Sequence, residues 1–424
     1  MKKLLSVVLA FLMLAVMLPV VSLADDTLPA APTMNGNEWT VTPDNAQATL
    51  DGAYGSIDGK TIILSAGTYG QLELGRATKY PGSNTTYTCP HNDPTITGGG
   101  PVSFTKVEDY IAHMTNNPHH GDARTFTRTM SNLTITAQEE ADVTVKGLTL
   151  LARTYRDAKD PFVNSTEKDY IGYDIDLVVN DLAFSNIKFT GKVEIASENR
   201  DNTIIDGVTF ENCKFETNDI TTINGQAINF SNNVNNGQVK NLIVKNCDFT
   251  NCYQGVYTNQ VRDVSVTGCT FNTTGHNAIA IQDSGACNHG NVVITGNTFK
   301  NVGDRIIRFN NVGVGTTITI SNNTSVNSGK PNGEIVAAGT LPKGMEVTMT
   351  NNNWGKVDGK DPVIGTGFVE TTTGGTIVII TPAGDTPKTD DQKNPTTGAN
   401  DMVAAAAALM AVSALGMAVL SRKK

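Results

Sequence analysis

Five side chains near the middle of the sequence have the chemistry for acid–base work on a polar substrate. The stretch TGHNAIAIQD carries His276 near its start and Asp283 at its end, and GDRIIRF further on supplies Asp304, Arg305 and Arg308. A His takes up a proton near neutral pH, a carboxylate holds or shares it, and guanidinium groups stabilise developing negative charge. Glycoside hydrolysis asks for more, namely two carboxylates at a defined separation. Asp283 and Asp304 are the pair on offer, although Asp304 also has Arg305 and Arg308 within reach as salt-bridge partners.

A second group of ligating residue types lies between Tyr80 and Ser131. Cys89, His91, Asp93, His113, His119, His120 and Asp122 fall there, four of the six His of the chain among them. Such donors suit a borderline-soft metal. Their spacing matches no metal motif, so no metal is assigned and the segment reads as a polar, decorated loop; His91, His119, His120 and Asp122 are the cluster a metal would use. Cys213, Cys247 and Cys269 pose the same question, each followed two residues later by Phe. There is no paired C-x-x-C and no interleaved His, which speaks against metal. Core packing and a disulfide between neighbours stay open, and packing is favoured because buried Cys behaves as a small apolar residue.

Residues this far apart in sequence meet only if short elements stack them. Cys213-Lys-Phe215, Cys247-Asp-Phe249, Cys269-Thr-Phe271 and Asn297-Thr-Phe299 are copies of one unit, with echoes at Ile187, Asn323 and Asn352. A repeat of roughly 20 to 50 residues with variable insertions marks a solenoid. Each unit follows alternating apolar residues, such as Leu242/Val244, Val264/Val266 and Val292/Ile294, which is the period of a strand. A second short strand follows each unit: QAINF (226–230), QGVYT (254–258), NAIAI (277–281), RIIRF (305–309) and EIVAA (334–338). Two or three short strands per turn, stacked turn on turn, make an all-β parallel β-helix.

On these residues the chain resembles the right-handed parallel β-helix (pectin-lyase-like) superfamily, from about Lys60 to Thr381 and most closely from Asp181 to Trp354. The resemblance implies a right-handed parallel β-helix solenoid, with an N-terminal cap over 25–59 and an irregular insertion over 80–131. That insertion carries one helix near Val107–Asn116 and separates opening coils at Lys60–Gly70 and Leu133–Leu151. In such a fold the three Cys are rungs of an inward ladder, stacked about 4.8 Å apart. Asn297, Asn323 and Asn352 continue it as hydrogen-bonded amides.

The fold hosts lyases, hydrolases, adhesins and phage spikes, so it does not name an activity. Its lyases use a carboxylate cluster for calcium with an Arg or Lys as base, and its hydrolases use several Asp near a Gly-His-Gly segment. Here His276 is followed by Asn277, and the repeats hold no adjacent Asp pair. No cofactor is therefore expected, unless the chain is a lyase and takes calcium. In the second strand of each coil the apolar set alternates with Asn229, Tyr257, Ala280, Arg308 and Ala337 in one outward column. Ser231, Asn259, Gln282 and Asn310 form the next. Asn229, Tyr257, Gln282, Arg308 and Asn310 make the expected ligand-binding face, because amides and a guanidinium bind hydroxyls or uronate carboxylates and a Tyr ring packs on a sugar.

The formal charge is −9 and the pI about 5.2, which argues against a nucleic-acid partner. Met1–Ala24 has Lys2 and Lys3, an apolar run from Leu4 to Val21, and small residues Ser22 and Ala24 before Asp25, the pattern of a secretory signal peptide. At the other end, 381–393 is a Pro-, Thr- and Asp-rich stalk with little to bury. The segment 394–424 follows, with an uncharged run from Met402 to Leu420 ahead of Arg422, Lys423 and Lys424. Its opening Asn394, Pro395, Thr396, Thr397 and Gly398, with the apolar span and basic tail, resemble the sorting signal of Gram-positive sortase substrates. That resemblance implies cleavage between Thr397 and Gly398, linkage to peptidoglycan, and a membrane stay only through the span before sorting. The expected protein is a secreted, wall-anchored surface protein whose β-helix binds extended carbohydrate. The alternative is a polysaccharide lyase or glycoside hydrolase acting on an acidic polysaccharide.

Overall fold

The computed structural model describes residues 28–89, 101–116, 124–156, 162, 172–198, 200–232, 238–282, 288–329, 335–338, 346–357, 359–365, 368, 370–371 and 378–379. It is an all-β parallel β-helix. One face is a parallel ladder of strands Glu38–Val41, Thr61–Leu64, Arg124–Ala137, Gly172–Ser185, Ile204–Glu211, Val239–Lys245, Arg262–Thr267, Asn291–Thr295, Thr317–Ser321 and Glu346–Thr350. A second runs through Gly67–Glu73, Val143–Arg156, Val193–Ser197, Gln226–Asn232, Gln254–Asn259, Ile279–Gln282, Ile307–Asn310 and Val336–Ala338. Between them, short strands at 188–189, 214–215, 248–252, 270–274, 298–302 and 324–326 pair in the same sense.

The recurrent unit is the corner between the first face and the short strands. Asn186, Asn212, Asn246, Gly268, Gly296, Asn322 and Asn351 all have φ between 53° and 66°. Asn tolerates this left-handed region better than other side chains, and Gly has no penalty there. The next residue turns inward, which places Ile187, Cys213, Cys247, Cys269, Asn297 and Asn323 in one buried column. Two residues later the Phe rings stack: 189 on 215, 215 on 249, 249 on 271 and 271 on 299, with centroids 4.6 to 5.2 Å apart. The repeat is thus a backbone bend, a ladder residue and an aromatic stack in sequence. Cys213, Cys247 and Cys269 are free thiols that donate to the Phe184, Phe210 and Val244 carbonyls of the coil before.

The insertion is more regular than its composition indicates. Thr85–Cys89 pairs antiparallel with both Val102–Phe104 and the first half of Arg124–Ala137, and a helix covers Val107–Asn116. Tyr87, Tyr110 and Phe126 supply the cause, a small aromatic core separate from the main one. The strand at 124–137 therefore begins inside the expected insertion and makes the following coil longer than the sequence suggests. The signal segment, the stalk, the sorting pentapeptide and the apolar span lie outside the described residues. No helix among the described residues is long and apolar enough to cross a membrane.

Candidate functional site

Strand register brings four of the five candidate acid–base residues together. Tyr253, His276 and Asp304 occupy equivalent positions on three successive coils, because Val256 pairs with Ile279 and Ile279 with Ile307. The Tyr253 ring stacks on the imidazole with centroids 5.1 Å apart, and Asp304 Oδ2 lies 3.3 Å from His276 Nε2 on the other side. Asn277 Nδ2 donates to the same carboxylate oxygen at 3.3 Å and to the Arg305 carbonyl at 3.1 Å. Arg305 faces the other oxygen at 3.5 Å. Asp283 lies outside the described residues, so the expected pairing of two Asp has one placed member.

His276 is buried, and both of its ring nitrogens are engaged, Nδ1 by Gln254 Nε2 at 3.2 Å. Burial pushes its pKa down, Asp304 opposes this, and Arg308 and Arg305 add to the downward push. A ring with both nitrogens held makes a poor general base. Asp304 is the more open group, and it is tied by a histidine, an amide and an arginine.

The outward column runs Glu194, Asn229, Tyr257, Ala280, Arg308, as its alternation requires. Its expected flatness needs correction. Asn229 and Ser231 are buried and bond each other, and Ala280 is fully covered. Asn229 therefore drops from the ligand-binding face, because its amide is spent within the protein. Tyr257, Gln282, Arg308 and Asn310 remain partly accessible. Arg308 makes no hydrogen bond or ion pair among the described residues, and burial followed by repulsion from Arg305 lowers its pKa. Burial raises the Tyr253 and Tyr257 hydroxyls.

Sequence reasoning missed Tyr253, Gln254, Gln226 and Asn277, and also the wall beside them. The longest step between ladder Cys residues, from Cys213 to Cys247, contains the loop Thr217–Gly225. The Ile220 carbonyl of that loop presses so closely on Gly275 that an added Cβ would lie 1.7 Å from it. Only Gly fits before His276, and the long step was the available signal. Asp219 pins the loop by accepting from the Thr221 and Thr222 amides.

The other candidates among the described residues do not join this site. Cys89 belongs to the aromatic core of the insertion, and His113 packs 5.0 Å from Phe104. His91, Asp93, His119, His120 and Asp122 lie outside the described residues, among which no three His, Cys, Asp or Glu gather to hold a metal. Asp304 is the one carboxylate in contact with His276 there, which gives calcium no cluster among the described residues. A cleft of about 420 Å³ opens elsewhere, between the N-terminal cap and the insertion, with Arg76, Tyr80 and Phe162 in its lining. Its Asp51 is already taken by Arg76 and Gln47. No family model matches the chain, and no curated protein matches it either.

Proposed function

We propose that the β-helix binds an extended carbohydrate on the face carrying Tyr257, Arg308, Gln282 and Asn310. The observation that carries this reading is a tyrosine and an arginine in one outward column, their strands two spacings (about 10 Å) apart, the guanidinium without an ion pair among the described residues. A half-buried arginine left in that state favours an anionic or hydroxyl-rich partner that restores its hydrogen bonds. The likeness of the repeat to pectin-lyase-like chains supports carbohydrate as the class. The engaged nitrogens of His276 favour binding over turnover. Incubating the protein with a panel of neutral and acidic glycans tests this. Retention without turnover is expected; unsaturated, ultraviolet-absorbing products would make it a lyase, and new reducing ends without them a hydrolase.

The same reading places the domain outside the cell, carried through the membrane by the leader and joined to the wall by the NPTTG segment. Changing Thr397 and Gly398 to Ala is expected to hold the protein in the membrane fraction. Release of that variant by wall-digesting enzymes, to the native extent, would remove the sorting signal from the account.

A further inference from the structure

His276 sits at the end of a directional chain of hydrogen bonds. Gln226 Nε2 donates to Gln254 Oε1 over 2.7 Å, and Gln254 Nε2 lies 3.2 Å from His276 Nδ1. An amide nitrogen only donates, so Nδ1 accepts and the ring proton belongs on Nε2, facing Asp304 at 3.3 Å. Gln226, Gln254 and His276 are all buried. A second proton can enter only at Nδ1, where it meets the amide nitrogen of Gln254. The contact is restored if Gln254 turns its oxygen to the ring. That turn presents its nitrogen to Gln226, whose amide must then turn as well.

Among the described residues, the charged and titratable groups around the ring are few. Asp304 faces Nε2, Tyr253 covers one ring face, and Arg305 and Arg308 approach from the following coil. We propose that His276 is a proton-operated switch of this site: protonation at Nδ1 reverses the Gln254 and Gln226 amides in turn and tightens the hold of the Arg308 face on an acidic carbohydrate. This rests on the carbohydrate reading above. With a neutral ring, the Asp304 carboxylate opposes an incoming anion. With an imidazolium beside it, that carboxylate is neutralised, and Arg308 meets the ligand without its opposition. The coupling is reciprocal, so a bound anion must raise the proton affinity of His276 by the same factor. The bound-state pKa then exceeds the free-state one, and affinity climbs as pH falls between them. Burial and the arginines hold the free ring below the ordinary imidazole range, so the change falls on the acid side of neutrality.

The test measures binding of a galacturonate hexamer, and of its methyl ester as a neutral control, to the full chain between about pH 7.5 and pH 5. Affinity for the acidic hexamer is expected to rise about tenfold, the equivalent of one pKa unit of coupling, while the ester shows no trend. His276→Gln should bind with a flat profile. Independently of ligand and of any variant, the side-chain amide signals of Gln254 and Gln226 should titrate together with the His276 ring in nuclear magnetic resonance spectra. A tenfold pH dependence surviving in His276→Gln, or amides that stay fixed while the ring titrates, overturns the switch. If neither hexamer binds at any pH, the carbohydrate reading and the ligand half of the proposal fall together. The amide titration then separately decides whether the relay exists.

Discussion

Arg308→Ala is expected to bind acidic oligosaccharide roughly ten- to hundredfold more weakly than the native chain, the loss of one charge-assisted hydrogen bond. The neighbours of Arg308 settle its direction: Ile307 and Phe309 are buried in the core, so the side chain between them projects outward. It pairs across the ladder with Ala280 and stands two coils from Tyr257. Added salt should weaken the native protein more than the variant, because screening acts on the charge that was removed. Stability should barely move, since the guanidinium holds no partner among the described residues whose loss would leave a buried charge. Calorimetric titration and a thermal melt check both halves. If the variant unfolds, the residue is structural. If affinity for every glycan is unchanged, this face is not the site.

Asn297→Leu is expected to lower the unfolding free energy by about 3 kcal/mol, through groups orphaned rather than through volume lost. Asn297 Oδ1 accepts the Cys269 amide at 2.9 Å, and Nδ2 donates to the Val266 carbonyl at 2.9 Å and to Asn323 Oδ1 at 3.0 Å. Leucine can do neither, so a buried N–H and a buried C=O lose partners together. Asn297→Cys should cost clearly less, because a sulfur already serves this role one coil earlier, where the Cys247 amide points at Cys269 Sγ at 3.4 Å. Cys247→Ser should also be mild, at about 1 kcal/mol, since a serine hydroxyl can take over the bond that the thiol donates to the Phe210 carbonyl at 3.5 Å. Equal losses from the Leu and Cys variants at 297, read from denaturant melts, would show that shape and not hydrogen bonding holds the column.

The fold was legible because one unit repeats. Asn or Gly before a ladder residue, and Phe two beyond it, report a left-handed bend, an inward position and a stack, and each coil repeats the same local physics. Alternation in RIIRF likewise gave the direction of Arg308. What stayed hidden depends on register between coils of unequal length. Nothing in the local sequence says that Tyr253 lies over His276, since that follows from where Val256 meets Ile279. The exposure of Asn229 was misjudged for a similar reason, because its neighbour Ser231 bonds it and both are buried together. Within the insertion the helix at Val107–Asn116 was legible, but the strand pairing was missed because its aromatics, Tyr87, Tyr110 and Phe126, carry no period and meet only in three dimensions.

The parallel ladders have a mechanical meaning as well. Their hydrogen bonds run along the long axis, while the covalent chain runs across it. If the proposed grip at Arg308 and the proposed C-terminal anchor both hold, tension would run through the coils beyond Arg308, which among the described residues include Thr317–Ser321 and Glu346–Thr350. Pulling along the axis opens those coils one after another, like a zip, instead of shearing many bonds at once. The coils toward the N-terminus, including the thiol column, stay outside the path of the force. Under load such a tether would lengthen stepwise while the gripping surface itself remained folded.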